Sequence, residues 1–140
     1  AGNDTLLGGG GIDFLYGDAG NDTMTGGTGR DTFVWSNGDE GTVGNPASDV
    51  ITDFTVGSGG DVLNLSDLLQ GENSSNLTSY LSFQQDGSGG TIINVDSDGG
   101  GTFQANQQIT LENVDLTAGG TLTDQQILDN LLANGNLIVD

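Results

Sequence analysis

The chain has no lysine, no histidine and no cysteine, and its one arginine, Arg30, is the only basic side chain in 140 residues. Each absence removes a class of function. Without histidine or cysteine there is no His-assisted nucleophile and no thiol chemistry. A single arginine without lysine excludes a P-loop and an amine nucleophile. A chain with no basic patch is not built for nucleic acid, nor for electrostatic attachment to an anionic lipid surface. No apolar run is long enough to span a bilayer, so direct membrane insertion is not expected. The lack of cysteine leaves the redox compartment undetermined. No secretory leader opens the sequence, which starts inside a repeat and reads as a piece of a longer protein.

What is present is acid and glycine. There are 17 aspartates but only 3 glutamates, 26 glycines, and a formal charge of −19. A solvated helical surface would favour glutamate; short aspartates among glycines suit turns and oxygen ligation. Such a chain repels itself when compact. Divalent cations would cancel part of that charge, so a weakly structured metal-free form and a folded metal-bound form are expected. Leu, Ile, Val and Phe together number 36, enough for a modest core in one domain.

Residues 1–34 fall into a nine-residue frame: AGNDTLL, GGGGIDFLY, GDAGNDTMT, GGTGRDTFV. Asp4, Asp13, Asp22 and Asp31 recur in phase. Glycine stands two residues before each, and Leu6, Leu15, Met24 or Phe33 two residues after. Glycines permit a tight turn, and the last three residues of each copy alternate as a short strand does. Leu6, Leu15, Met24 and Phe33 are expected to point inward as a core ladder. A flexible linker would have no reason to keep one. Two copies then form one coil of a flattened, right-handed parallel β-roll. Same-side turns lie eighteen residues apart, which pairs Asp4 with Asp22 and Asp13 with Asp31. Carboxylates and turn carbonyls give an all-oxygen, anionic site suited to a hard cation of calcium size.

These copies resemble the RTX repeat, GGxGxDxUx. The resemblance implies calcium (Ca2+) held by Asp4, Asp13, Asp22 and Asp31 with turn residues Gly9, Gly11, Gly20, Gly27 and Gly29. Three departures stand out. The first copy is cut. Asp18 replaces a turn glycine, adding a carboxylate or merely tolerating the turn. Ile12 and Arg30 stand where Asn3 and Asn21 sit in the other copies, and Arg30 either weakens its site or offsets charge.

Beyond the repeats, residues 32–35 read as a strand with Trp35 closing the roll, and residues 36–48 as a loop broken by Gly38, Gly41, Gly44, Asn45 and Pro46. Residues 49–54 and 61–65 alternate as strands that continue the roll in a less regular rung. That segment is similar to one in serralysin-type proteases, which makes Asp49, Asp53 and Asp61 further candidates for calcium; the alternative is that they are exposed strand and turn carboxylates. Residues 66–70 read as one helical turn with Ser66 as N-cap, 72–78 as a polar loop, and 79–85 with 91–96 as an antiparallel hairpin. The 96–101 stretch is a turn, with no glutamate to close a calcium loop. One or two strands follow in 102–114. Thr123 and Gln126 have capping-box spacing before Ile127, Leu128, Leu131 and Leu132, one face of a helix; a strand over 137–140 ends the chain.

The segments LSDLLQGE, NLTSYLSF, ITLENVDL and ILDNLLANGNLIVD resemble the C-terminal target domain of very large bacterial RTX adhesins. That resemblance implies an uncleaved C-terminal signal read by type I secretion machinery, and an extracellular place at the bacterial surface within a larger protein. The organisation expected is RTX repeats over 1–35, a β-rich capping region over 36–120, and the helix, strand and secretion signal over 121–140, together one all-β unit. The expected function is calcium-dependent folding and export of an adhesin involved in cell adhesion and biofilm, by a monomeric, non-enzymatic module. The tail of a secreted protease or lipase is the alternative. An ice- or sugar-binding face built on Thr5, Thr23, Thr32, Asn3 and Asn21 ranks below both, because the copies are few and Phe14 and Tyr16 interrupt it.

Overall fold

The computed structural model describes residues 1–73 and 75–140. Glycine turns alternate with strands β1 (Thr5–Gly10), β2 (Phe14–Tyr16), β3 (Thr23–Thr28), β4 (Thr32–Val34), β5 (Ala47–Ile51) and β6 (Val62–Asn64). Odd and even strands go to different sheets, as a roll requires. The chain then makes a hairpin, β7 (Leu81–Gln85) and β8 (Thr91–Val95), and returns through β9 (Gln107–Leu111). It ends in helix α1 (Asp124–Ala133) and β10 (Leu137–Ile138). One sheet has the order β1-β3-β5-β9-β8-β7, parallel up to β9 and antiparallel beyond it; the other, β10-β6-β4-β2, is parallel throughout.

The inward residues form two ladders, one per sheet, rather than a single column. Leu6, Met24, Ile51 and Leu111 are successive partners in the first. Leu15, Phe33, Leu63 and Leu137 are successive partners in the second. The physical reason is the nine-residue half-coil, which sends alternate copies to opposite faces of one core. Met24, Phe33, Ile51 and Leu111 have no exposed surface, and each such side chain contributes about 2 kcal/mol through burial. Outward neighbours Phe14 and Tyr16 stay exposed, as strand alternation dictates.

The cap differs in detail from the expected elements. Residues 66–69 make a hydrogen-bonded turn, not a helix, and the Ser66 hydroxyl donates to Asn64 Oδ1 at 2.7 Å instead of capping. The expected polar loop over 72–78 includes Ser74, which lies outside the described residues. In 102–114 there is one strand, β9. The capping box is formed: Thr123 Oγ1 accepts from the Gln126 amide and Gln126 Oε1 from the Thr123 amide. Ile127, Leu128 and Leu131 are buried against the core, whereas Leu132 stands at the edge of that face and is partly exposed. Gly135, at φ 72°, turns the chain out of the helix and into β10.

Candidate metal centre

The aspartates of the repeat are clamped along the stack, each by its own backbone and by one carboxylate oxygen. The Asp4 amide donates to Asp22 Oδ1 at 2.7 Å, and the Asp13 amide to Asp31 Oδ1 at 3.0 Å. The pattern continues past the repeats: Asp22 donates to Asp49 Oδ1 at 2.8 Å and Asp31 to Asp61 Oδ1 at 2.9 Å. The aspartate carbonyls also accept from Thr23, Thr32, Val50 and Val62 of the next rung. Two ladders result, Asp4–Asp22–Asp49 on one side and Asp13–Asp31–Asp61 on the other. The expected pairs are brought together, but by carboxylate-to-amide hydrogen bonds that occupy only one oxygen of each upper aspartate.

The second oxygen is the informative one. Oδ2 of Asp13, Asp22 and Asp31 is buried and has no hydrogen-bond partner, a costly state for an anionic oxygen unless a cation supplies the missing contact. Each Oδ2 lies over the first glycine of its own turn. A Cβ on Gly8 would sit 2.9 Å from Asp13 Oδ2 and 2.5 Å from the Gly26 carbonyl oxygen, and one on Gly17 would sit 2.5 Å from Asp22 Oδ2. A Cβ on Gly26 would collide with Asp31 Oδ2. A Cβ on Gly20, Gly27 or Gly29 would collide with the carbonyl of Gly2, Gly9 or Gly11 in the neighbouring turn. Among the described residues no three acidic side chains converge to hold a metal by themselves. The donors on offer are one or two carboxylates with several backbone carbonyls and no nitrogen or sulfur. That set fits calcium, which takes six to eight oxygens in flexible geometry.

The stacked glycines give a direct test. Gly27 has φ 98°, and any Cβ there meets the Gly9 carbonyl, whereas Gly9 has φ 100° with open space around it. Gly27→Ala should cost about 2–4 kcal/mol, combining left-handed strain with overpacking. Gly9→Ala should cost about 1 kcal/mol from strain alone. Urea titrations in calcium measure both; equal costs would contradict the close stacking of the turns.

Asp49, Asp53 and Asp61, the further calcium candidates, have both carboxylate oxygens engaged by N–H donors. Asp49 Oδ2 accepts from Trp35 Nε1 at 2.7 Å and Gln107 Nε2 at 2.8 Å. Asp61 Oδ2 accepts from the Thr55 amide at 2.8 Å. Asp53 receives the Gly26 and Gly27 amides at 2.9 and 2.7 Å. Asp49 and Asp61 thus carry N–H donors on the oxygen that Asp13, Asp22 and Asp31 leave free, and Asp53 lies beside the ladders with both oxygens taken by turn amides. They are not exposed turn carboxylates either: Asp49 and Asp61 are 1% and 2% exposed. Burial pushes both carboxyls above their ordinary range, against the lowering effect of their donors.

Asp18 adopts φ 61° at the place of Gly9 and Gly27, with its side chain exposed. It preserves the shape of the turn. Asn3 and Asn21 form a side ladder, Asn3 Oδ1 accepting from Asn21 and Asn21 Oδ1 from Ser48. Arg30, at the equivalent position, turns away from Asp31 and donates to the Gly135 carbonyl at 2.9 Å. Three features escaped the sequence reading. Gly8, Gly17 and Gly26 were legible in principle, since each stands five residues before its aspartate. The Trp35–Asp49–Gln107 cluster and buried Asn136 carry no local signal.

A comparison with protein families matches residues 1–33 to the RTX calcium-binding nonapeptide repeat, in 4 copies. No curated protein matches the chain. Among solved structures, the AlgE6R2 subunit of the Azotobacter vinelandii mannuronan C5-epimerase aligns at 22% identity and TM-score 0.44, over 99% of this chain and 88% of that one. The AlgE6R3 subunit of the same epimerase aligns at 26% identity and TM-score 0.36, over 92% and 72%. The nine-residue frame, the parallel roll and the free aspartate oxygens agree with the family match: residues 1–33 match the RTX repeat, a calcium-binding family, and calcium is the cofactor that match supports.

Proposed function

We propose that this chain is a calcium-folded, non-enzymatic export module of a secreted bacterial adhesin, carrying a type I secretion signal in residues 121–140. The observation that carries the calcium part is the row of three buried, unpartnered carboxylate oxygens on Asp13, Asp22 and Asp31. In a chain of charge −19 these turns repel until a cation joins them. Binding free energy then becomes folding free energy. Asp13, Asp22 and Asp31, with turn carbonyls of Gly9, Gly11, Gly20, Gly26, Gly27 and Gly29, would hold the ions; Asp4, which is exposed, would contribute at the open end of its ladder.

The export part rests on the resemblance of the C-terminal segments to adhesin target domains. The chain would leave the cell unfolded, with its C-terminus first, and calcium outside would fold the roll and hinder its return through the exporter. A passenger fused before Ala1 should be secreted through the type I machinery, and deletion of residues 121–140 should reduce secretion at least tenfold. Undiminished export of the deletion would refute the signal assignment while leaving calcium binding standing.

A further inference from the structure

The last residues of the chain are built into the roll. The Leu63 amide donates to the Asn136 carbonyl and the Leu65 amide to the Ile138 carbonyl, both at 2.8 Å. Leu137 and Val139 are buried. Asn136 has no exposed surface at all. Its Nδ2 donates to the carbonyls of Gly57 at 3.0 Å and Asp61 at 2.8 Å, and its Oδ1 accepts the Gly57 amide at 2.9 Å. Residues 55–61 thus form a socket for one asparagine side chain.

That socket hangs from the calcium turn 26–31. Asp61 holds the Asp31 amide with one oxygen and the Thr55 amide with the other. Asp53, at the entrance of the socket, holds the Gly26 and Gly27 amides. On the opposite side Arg30 grips the Gly135 carbonyl, one residue before Asn136. The contacts made by Gly26, Gly27, Arg30 and Asp31 all begin in one turn, three glycines and a threonine followed by Arg30 and Asp31, and Asp31 Oδ2 is buried and unpartnered. A turn of that composition has high conformational entropy when free. A cation on Asp31 would fix this turn and with it the amides that Asp53 and Asp61 hold, which are the support of the socket.

We infer that the C-terminal strand is a calcium-dependent latch: ordering of turn 26–31 seats Asn136 and seals residues 136–140 against the roll, and loss of the ion releases them. The inference rests on the calcium reading above. It adds that the segment assigned there to the exporter is open before calcium and hidden after it, so that calcium also ends recognition of the signal.

Hydrogen exchange by mass spectrometry on the full chain, in calcium and in chelator, tests this. Calcium should slow exchange in the repeats and, in the peptide covering 136–140, by roughly 100-fold, the factor carried by two or three net hydrogen bonds. Asn136→Ala should keep the calcium-induced protection of the repeats but lose at least tenfold of the protection at the C-terminus. Arg30→Gln, which leaves every aspartate in place, should do the same to a smaller degree. A C-terminus equally protected with and without calcium, while the repeats respond, would overturn the latch and leave the calcium reading intact. Repeats that do not respond to calcium would overturn that reading, and the latch with it. Full protection of the C-terminus in Asn136→Ala would overturn the seating of Asn136 as the latch.

Discussion

Chelation of calcium should erase most of the far-UV circular dichroism of the parallel sheets and lower the melting temperature by tens of degrees. The reasoning starts from the three free oxygens of Asp13, Asp22 and Asp31. A ligand that binds only the folded state at 100 times its Kd stabilises it by about 2.7 kcal/mol per site. In a chain of this size each kcal/mol moves Tm by about 3 °C, so three filled sites amount to roughly 20–25 °C. Self-repulsion adds to this, since one arginine faces 20 acidic residues. Asp13→Asn with Asp31→Asn should reproduce about two thirds of the loss, because both carboxylates lie on one ladder while Asp22 keeps its own. The amide keeps an oxygen to accept the Asp13 N–H, so stacking survives and ligation is what fails. Identical spectra and melting curves with and without chelator would rule out calcium-coupled folding.

Asp49→Ala should be the most damaging single substitution outside the repeats, at about 3–5 kcal/mol in saturating calcium. The carboxylate takes N–H donors from Asp22, Trp35 and Gln107, and it is 1% exposed. Truncation leaves three buried donors without an acceptor, each costing about 1–3 kcal/mol before the surroundings relax. Asp49→Asn should cost less, about 1–3 kcal/mol, since its one oxygen still serves part of the set and a buried charge is removed. The sign of the charge effect follows from the raised Asp49 carboxyl, pushed up by burial first of all. The folded state binds that proton more tightly than the unfolded state, so this group's contribution is greatest at acid pH and falls as pH rises through the raised value. Urea unfolding followed by Trp35 emission measures all three proteins. A cost below 1 kcal/mol for Asp49→Ala would show that the cluster does not close the stack.

The repeats were readable because three residue types recur in the same phase, and each has a single job. Glycine marks the turn, aspartate the ladder and the apolar residue the core. That was sufficient for the pairs Asp4–Asp22 and Asp13–Asp31 and for the parallel roll. It was insufficient once the spacing changed. The step from Asp22 to Asp49 is 27 residues and that from Asp31 to Asp61 is 30, neither the eighteen of the coil, so the spacing of the repeats does not announce that the ladders go on. Alternation identified β7 and β8 as a hairpin but not their place, because a strand pattern does not name its partner. The hairpin docks on β9, which arrives later in the chain and inserts beside β5. The roles of Gln107 and Asn136 depend on partners 58 and 79 residues distant. An amide side chain looks the same in a loop and in a socket, and only the fold distinguishes them.

The isolation of Arg30 has a practical consequence for anyone handling this protein. With one arginine and no lysine, the whole chain offers trypsin a single bond, the one between Arg30 and Asp31. That bond lies in the turn that bears the free Asp31 oxygen, and the side chain trypsin must grasp is half-buried and bonded to Gly135. Digestion is therefore all or nothing: an open turn yields one cut and two pieces, 1–30 and 31–140, and a closed turn yields none. The rate at which intact chain disappears on a gel therefore reports how often this one turn opens, without label or spectroscopy.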